Sequence, residues 1–311
     1  MNQKLINSST PTIEEYQLKK PHKLRIEGGR YVSDSYKNLH QDKILVTIIT
    51  VVFNGEKYIE NTIQSVLNQT YKNIEYIIID GGSTDQTINI IRKYDNQISY
   101  WLSEPDEGIS DAFNKGISLS KGEIIGILSS DDWYEENTVE IIVKQFMESS
   151  AEIICGSSQF WNNDKKDFIS FSRIDLLEQE MTVNHATVFI KKDIYWNFGL
   201  FKNYQVAMDY DLLLRFKINN VKFLVIPDIL ANVRVGGVSN SEWLKSKIWI
   251  TYQEVAEIKT SLLGNKAKNI FYFYYSVIRG YTAGLLKKIG LLYLVNLYRK
   301  YFSIWKRINS F

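Results

Sequence analysis

The stretch "ILVTIITVVFNGEKYIENTIQSVLNQTYKNIEYIIID", residues 44–80, holds two apolar runs on either side of an amphipathic segment. The first run, residues 44–53, is rich in β-branched residues, which is typical of a strand covered on both faces. It stops at the turn dipeptide Asn54-Gly55, and the second run stops at Asp80. Between the runs, four apolar residues follow helical spacing: Ile59, Ile63, Val66 and Leu67. The stretch therefore predicts a strand, a helix and a second strand.

The same alternation continues along the chain. A Gly-Gly turn and a helical segment lead to a third apolar run in "ISYWLSEPD", residues 98–106. The probable helix "GISDAFNKGISLS", residues 108–120, precedes a fourth run in "EIIGIL", residues 123–128. Strands that alternate with helices predict a mostly parallel α/β sheet flanked by helices.

Polar residues follow each of the four apolar runs. In an open α/β sheet, ligands bind outside the carboxyl ends of the strands, so these side chains are expected to meet at one edge. Each of them alone is also an ordinary turn residue. An acidic edge would bind a phosphorylated ligand through a divalent cation, Mg²⁺ or Mn²⁺, for which carboxylates are suitable ligands. The residues at the four ends are Asn54, Asp80, Asp106 with Glu107, and Asp131 with Asp132.

Several classes of protein do not fit the sequence. No GxGxxG follows the first strand and no GxxxxGK[ST] occurs, which argues against a dinucleotide-binding fold and a P-loop NTPase. Cys155 is the single cysteine of the 311 residues, which excludes an intrachain disulfide framework and a cysteine zinc cluster. The first 20 residues lack the pattern of a signal peptide, so we expect a reducing, cytoplasmic setting.

Three blocks of the sequence resemble the family 2 glycosyltransferases in order and spacing. They are "TIITVVFNGEKYIENTIQSVLNQTYKNIEYIIIDGGSTDQT", "SEPDEGISDAFNKGISLSKGEIIGILSSDDWY" and "AMDYDLLLR". The resemblance covers roughly residues 44–240 and implies a GT-A fold and an inverting transfer from a nucleotide-sugar donor, a UDP-sugar. It divides the chain into an N-terminal extension, residues 1–42, a GT-A domain, residues 43–240, and a C-terminal amphipathic helical region, residues 241–311. Within the domain it implies a nucleotide-binding half up to about residue 135 and an acceptor half after it.

The resemblance also implies roles for individual residues. Asp131 aligns with the last acid of the DxD motif, which binds the metal and the diphosphate, and Asp209 aligns with the general base. His185 and Trp133 fall in places suited to the acceptor. The donor is expected to contact a larger set, which consists of Val52, Asn54, Asp80, Asn114, Ser130, Asp131 and Asp132.

The chain departs from the family pattern at three positions. Gly81 stands where the family often has a second acid, so recognition of the base would rest on Asp80. Ser129 replaces the first acid of DxD, which weakens the expected metal site. Met208 replaces the Glu that commonly precedes the catalytic Asp.

Simpler readings exist for the same residues. Asp209 could be a helix cap or a solvated residue, His185 a structural histidine, and Trp133 a core aromatic. Arg234 precedes a Gly-Gly pair that suits a loop closing over the donor. At the level of function, a sugar-1-phosphate nucleotidyltransferase and a non-catalytic sugar-binding or scaffold relative remain open alternatives.

The C-terminal part of the chain is basic. Residues 266–311 hold nine of the 37 Lys and Arg and none of the 35 Asp and Glu. This composition, with interspersed aromatic residues, favours peripheral contact with an anionic membrane surface, while packing on the domain or in a dimer is the alternative. Nucleic acid is not expected as a partner, because the rest of the chain is acidic. The sequence thus predicts a cytoplasmic enzyme at the inner face of the membrane, acting on a glycan or lipid-linked glycan in surface polysaccharide synthesis.

Overall fold

The computed structural model describes residues 10–18, 21–32, 43–162, 164–235, 244–291, 293, 294, 297 and 307–309. Its α-helices are α1 (Ile13–Leu18), α2 (Ile59–Leu67), α3 (Thr87–Lys93), α4 (Ile109–Leu119), α5 (Thr138–Glu148), α6 (Lys192–Phe198), α7 (Met208–Ile218), α8 (Leu244–Leu263) and α9 (Lys266–Lys288). Its strands are β1 (Ile26–Gly28), β2 (Val46–Val52), β3 (Ile74–Asp80), β4 (Tyr100–Ser103), β5 (Ile124–Ser129), β6 (Trp133–Tyr134), β7 (Ile153–Asn162), β8 (Lys165–Ser170), β9 (Val188–Lys191), β10 (Phe223–Arg234) and β11 (Arg307–Asn309).

The strands form one mixed sheet with the order β1-β4-β3-β2-β5-β9-β7-β10-β6. Strands β4, β3, β2 and β5 run parallel to one another, as the alternating pattern predicts. Strand β9 is antiparallel to both β5 and β7, whereas β10 is parallel to β7. Strand β8 pairs antiparallel with β7, and β11 pairs antiparallel with β8. The predicted α/β class is confirmed, and its four consecutive parallel strands belong to the first half of the domain.

Helices cover both faces of the sheet, which explains why the central strands are apolar on both sides. Residues of β2 point alternately into two cores: Ile49 and Val51 into one, Val46, Ile48 and Val52 into the other. The first core is closed by α4, α6 and α7, and the second by α2, α3 and α5. Burial of these residues on both faces fixes the positions of the strand ends.

The described parts of the N-terminal segment belong to the same packed unit. Strand β1 pairs antiparallel with β4, with Ile26 opposite Ser103. Arg25 forms an ion pair of 2.7 Å with the buried carboxylate of Glu104. Ile13 of α1 is buried in the first core. These segments therefore extend the sheet and cover α4.

The C-terminal helices form a hairpin that packs on the second half of the domain. Val255 and Ile258 of α8 are buried in the same core as α7. Arg279 of α9 pairs with Glu180 at 2.7 Å, and Lys259 donates a hydrogen bond to the Gln179 carbonyl oxygen. The C-terminal helices are confirmed. Within the described residues, no helix is both long enough and apolar enough to cross a membrane.

Candidate active site

The register of the parallel strands brings the predicted polar residues to one edge. Val52 lies opposite Asp80, Asp80 lies opposite Ser103, and Val51 lies opposite Ser129. The strands therefore end at nearly the same level. The loops that follow them form one continuous rim, where ligands bind in open α/β sheets.

Asn54 holds two of these loops together. Its backbone has a φ of 51°, a left-handed conformation that Asn tolerates better than most residues. Its N–H donates to Ser83 Oγ at 2.7 Å, and its side-chain oxygen accepts the N–H of Thr84 at 2.8 Å. Val52 is buried in the core, and its carbonyl oxygen accepts the N–H of Gly81 at 2.9 Å. Both residues shape the rim, and their contact with a donor stays a prediction.

The carboxylate of Asp80 is fully buried and saturated with hydrogen bonds. It accepts the N–H groups of Gly82 and Ser83 at 3.0 and 2.8 Å and the Ser103 hydroxyl at 2.6 Å. The hydroxyl of Ser83 donates a further bond. This carboxylate holds the loop after β3 in place, so the predicted role of Asp80 in donor binding can be exerted only through that loop.

The adjacent acids Asp131 and Asp132 lie in different environments. Asp132 is 4% exposed, and its Oδ1 accepts the backbone N–H of Arg234 at 3.2 Å. Burial, and next the charge of Asp131, raise the pKa of Asp132 well above its ordinary value. Asp131 is only partly buried, and desolvation raises its pKa. Ser130, its neighbour, accepts a hydrogen bond from the Thr62 hydroxyl through its carbonyl oxygen at 2.8 Å. Asp131 is therefore the acid of this pair that faces the rim.

The chemistry at Asp131 suits a divalent cation that shares its ligands with a phosphorylated substrate. In the described part of the chain, no group of three or more His, Cys, Asp or Glu could hold a metal ion alone. None of the ion pairs between described residues includes Asp131. Mg²⁺ commonly binds one or two carboxylates together with substrate phosphates and water. A partly exposed carboxylate that forms no ion pair with another described residue fits that mode of binding.

His185 connects this edge to the start of α7. Its Nε2 lies 3.0 Å from Ser129 Oγ, a hydrogen bond, and its Nδ1 lies 3.7 Å from Asp209 Oδ2. The imidazole precedes β9, the strand that pairs antiparallel with β5. The structure thus brings together three residues that are far apart in the sequence, among them the predicted general base and the serine that replaces the first acid of DxD.

Asp209 lies in the first turn of α7 against an apolar wall. The side chain is 21% exposed. Desolvation raises its pKa, and the nearby His185 partly opposes this shift. A carboxylate that is partly desolvated yet accessible is suited to accept a proton near neutral pH. The wall consists of Ile127, Val188, Ile190, Tyr195, Phe201, Leu212 and Leu213.

Asp211, two residues after Asp209 in α7, has a different environment from that of Asp209. Its carboxylate is 1% exposed and pairs with Arg215 at 2.9 Å and with Lys202 at 3.3 Å. Arg215 is also buried, and it donates to the carbonyl oxygens of Leu200, at 2.8 Å, and Phe198. This buried network fixes α7 against the preceding segment.

The side chain of Asn114 is buried and hydrogen-bonded within the protein, so it is not exposed at the rim. It is 1% exposed, and its amide exchanges two hydrogen bonds of 2.9 Å with the backbone of Phe201. It also donates to the Tyr16 hydroxyl at 3.2 Å. The amide thus ties α4 to the segment before α7, and its contact with the donor stays a prediction.

Trp133 belongs to an aromatic cluster beside the acidic pair. The guanidinium of Arg234 lies between the rings of Tyr58 and Trp133, 4.3 and 4.5 Å from their centroids. Trp161 packs on Trp133 with centroids 5.4 Å apart. One face of Trp133 is therefore covered by an arginine. The Gly-Gly pair predicted to close over the donor lies outside the described residues.

Sequence reasoning missed two residues of the site. Phe53 is 64% exposed at the end of β2, and its position directly before Asn54 was the available signal. Glu254 of α8 accepts the N–H groups of residues 205, 206 and 207 at 2.7, 3.0 and 2.9 Å, immediately before α7. No local signal predicts that second contact, because the partners are 47 to 49 residues apart.

The fold and the acidic edge define an α/β protein of the GT-A class. The family model "Glycosyl transferase family 2" matches residues 47–219, and the chain belongs to that family. Glycosyltransferase GlyG of Streptococcus pneumoniae is 36% identical over 126 residues, which cover 40% of this chain and 41% of GlyG. The chain thus spans less than half the length of that relative.

Two solved structures share the fold. S. aureus TarS, residues 1–349 in complex with UDP-GlcNAc, superposes with a TM-score of 0.58 and 16% identity, covering 77% of this chain and 73% of the other. A mannosyltransferase from Pyrobaculum calidifontis, in complex with GDP-Man and Mn²⁺, superposes with a TM-score of 0.57 and 17% identity, covering 93% of this chain and 86% of the other. At these identities the likeness shows the fold.

Proposed function

We propose that the protein is an inverting glycosyltransferase that transfers a sugar from a UDP-sugar to a glycan or lipid-linked glycan of a surface polysaccharide. The observation on which this rests most is the position of His185, in contact with both Ser129 and Asp209. It joins the acidic edge of the sheet and the acid at the start of α7 into one cleft. Family membership and the fold favour this function over a nucleotidyltransferase.

In the proposed reaction, Asp209 is the general base. Its carboxylate accepts the proton of the acceptor hydroxyl while that oxygen attacks the anomeric carbon, and the nucleoside diphosphate leaves from the opposite face. A well-placed general base contributes about 10² to 10⁴ in rate. The raised pKa of Asp209, caused by desolvation, makes the carboxylate a better proton acceptor.

Asp131 would hold a divalent cation, Mg²⁺ or Mn²⁺, on the diphosphate of the donor. The cation supplies neutralisation of the charge that develops on the departing diphosphate. The complexes of TarS with UDP-GlcNAc and of the mannosyltransferase with GDP-Man and Mn²⁺ support this assignment by their shared fold. Asp132 and Ser130 keep the loop that carries Asp131 in position through their hydrogen bonds.

On the acceptor side, we assign His185 and the open edge of Trp133. The imidazole contacts the base directly, so an acceptor hydroxyl bound to Asp209 lies within reach of it. An indole ring next to a strand end offers a surface for a sugar ring. Trp133 is only partly buried between Arg234 and Trp161, which leaves part of its ring for that contact.

The surface of α9 supports an acceptor at an anionic membrane. Residues 266–288 contain five Lys or Arg and no Asp or Glu. Basic residues together with exposed aromatic side chains suit the headgroup region of an anionic leaflet. These features support the predicted position of the protein at the inner face of the cytoplasmic membrane, which is part of the proposal. The exposed large side chains of α9 are Ile270, Phe271, Tyr274, Tyr275, Ile278, Tyr281 and Leu285.

The test is turnover of a panel of UDP-sugars with membrane extract as the acceptor source, with and without Mn²⁺. We expect UDP release that requires the cation, and a product whose anomeric configuration, read by NMR, is opposite to that of the donor. Asp131→Ala should abolish the dependence on Mn²⁺ together with most of the turnover, whereas Asp193→Ala, an exposed acid of α6, should change neither. Tight binding of UDP without any turnover would instead favour the non-catalytic alternative.

A further inference from the structure

Gly81 leaves a space that another acid occupies. A Cβ atom at position 81 would lie 2.5 Å from Asp106 Oδ2 and 3.2 Å from Asp106 Cγ. The same point is 3.5 Å from Cδ2 of Phe53. The carboxylate of Asp106, from the loop after β4, therefore stands where a side chain of residue 81 would begin. Three strand ends, those of β2, β3 and β4, meet at this point.

The two acids near this point differ in the hydrogen bonds that they can still accept. Asp80 is fully buried, and its carboxylate already accepts four bonds from the loop. The Oδ1 atom of Asp106 accepts the N–H of Gly108 at 2.9 Å. Its Oδ2 atom accepts no hydrogen bond from the described part of the chain. Asp106 thus has one oxygen available to a ligand, and Asp80 has none.

The nearest cation does not neutralise Asp106 by direct contact. Lys115 forms ion pairs with Glu104 at 3.0 Å and with Asp111 at 2.9 Å. Burial, opposed by the Gly108 bond and the charge of Lys115, raises the pKa of Asp106, and the charges of Asp111 and Asp80 add to the shift. A carboxylate in this environment gains from a hydrogen-bond donor of the ligand.

Phe53 supplies an apolar surface beside this oxygen. Its ring is 64% exposed, which is unusual for an aromatic residue that directly follows a buried strand. Exposed aromatic rings bind nucleobases by stacking, with little dependence on the base, so a neighbouring polar group must provide the selectivity. Phe53 thus offers a surface on which a planar ring can stack, and Asp106 offers a hydrogen-bond acceptor to the edge of that ring.

We propose that Asp106 reads the nucleobase of the donor: its Oδ2 accepts the ring N–H of uracil while Phe53 stacks on the face of the base. This deepens the proposed function and rests on it, because it assumes that the acidic edge binds a nucleotide. The selectivity follows from the chemistry of an acceptor-only group. Uracil presents N3–H to it, whereas cytosine presents an N3 lone pair, which a carboxylate repels. Asp106 thereby takes the role expected of a second acid at position 81.

The experiment measures the Kd of UDP and CDP by calorimetry, with Mn²⁺, for the full chain and five variants. Asp106→Ala removes the acceptor. Gly81→Ala keeps it but places a methyl group 2.5 Å from its oxygen, which must displace the carboxylate, and the backbone at Gly81 does not require glycine. Asp193→Ala and Gly284→Ala are the matched controls. Asp193 is exposed and follows the end of β9, which lies next to the start of β5 and thus away from the carboxyl ends of the parallel strands. A Cβ at Gly284 meets nothing within 4 Å.

We expect the wild type to bind UDP more tightly than CDP. Both site variants should bind UDP at least about tenfold more weakly, the loss typical of a hydrogen bond to a charged group. Their binding of CDP should stay unchanged or become tighter, because the carboxylate that repels N3 of cytosine is removed or displaced. The double variant Gly81→Asp with Asp106→Ala should recover part of the preference for UDP, because it returns a carboxylate to the same space. Circular dichroism checks that each variant is folded.

Two other results would separate this inference from the proposed function. If the wild type binds UDP and the folded variants keep both its Kd and its UDP-to-CDP ratio, the role of Asp106 is wrong while the transferase proposal stands. If the wild type binds no nucleoside diphosphate with or without Mn²⁺, the proposed function fails, and the inference fails with it.

Discussion

Asp209 and Asp211 lie on the same turn of α7, yet their environments predict opposite effects of the same substitution. Asp209 is 21% exposed, and its Oδ2 lies 3.7 Å from Nδ1 of His185. Asp211 is 1% exposed and neutralises the buried guanidinium of Arg215 at 2.9 Å. Replacing either carboxylate with an amide conserves its shape. The change therefore isolates the contribution of the charge at each position.

In the Asp211→Asn variant, the neutral amide leaves the buried guanidinium of Arg215 without a negatively charged partner. Breaking a buried ion pair by removing one partner costs about 3 to 5 kcal/mol of the free energy of unfolding. The second partner, Lys202, is 11% exposed and 3.3 Å from Asp211, so it loses its ion pair as well. Because both ion pairs are lost, we expect Asp211→Asn to lower the free energy of unfolding by an amount toward the upper end of this range.

For Asp209→Asn, the substitution removes a partly desolvated charge that no strong cation compensates. We expect the free energy of unfolding to stay unchanged or to rise. Turnover should fall by about 10² to 10⁴, since the amide cannot accept the acceptor proton. The pair of variants therefore separates a group that does chemistry from one that supports it.

The assay combines urea unfolding, followed by circular dichroism, with UDP release from the UDP-sugar that the wild type turns over. The Kd of UDP shows whether the donor site survives in each variant. Comparable destabilisation by both substitutions, or a stable Asp209→Asn protein with wild-type turnover, would refute the assignment of the base. Loss of turnover by Asp211→Asn without loss of stability would refute the structural role of that acid.

Three further predictions follow from the environments of single residues. Because burial raises the pKa of Asp209 and His185 opposes this, the acidic limb of kcat/KM should lie above the ordinary aspartate value of about 4, and His185→Gln should move it to higher pH. The folded-state pKa of Asp132 is raised, so its ionised form destabilises the fold. Asp132→Asn should therefore increase the free energy of unfolding at neutral pH, and this gain should shrink as the pH falls through the folded-state pKa. Phe271→Glu on α9 should weaken binding to vesicles with anionic lipid in sedimentation, whereas Met147→Glu, equally exposed on α5, should not.

The first half of the fold was predictable because its signals are local. Strands β2, β3 and β5 are continuous apolar runs, and helix α2 shows its buried face in the spacing of Ile59 and Ile63. Asp131 could be placed at the rim because a strand end fixes its position to within a residue. These features depend on the next few neighbours in the chain, and the structure confirms their arrangement.

The second half was harder to predict for physical reasons. Strand β10 runs from Phe223 to Arg234 but contains Pro227 and Asp228, and its pairing with β7 shifts register twice. Helix α7 is buried on most sides, so no amphipathic stripe reveals its orientation. The contact of Ser129 with His185 joins residues that are 56 positions apart. Such contacts depend on the topology of the sheet, which the local pattern does not determine.

The acids of the rim have different functions because only some of their carboxylates already accept several hydrogen bonds from within the protein. Asp80 is buried and accepts four hydrogen bonds from the loop after β3 and from Ser103, so its charge is used within the protein. Asp106 and Asp131 each retain partial exposure and a raised pKa. A carboxylate without a strong partner is costly unless a ligand supplies one. In the proposed complex, a cation at Asp131 and a base N–H at Asp106 offset this cost. The two carboxylates that destabilise the protein without a ligand therefore favour the complex with the nucleotide.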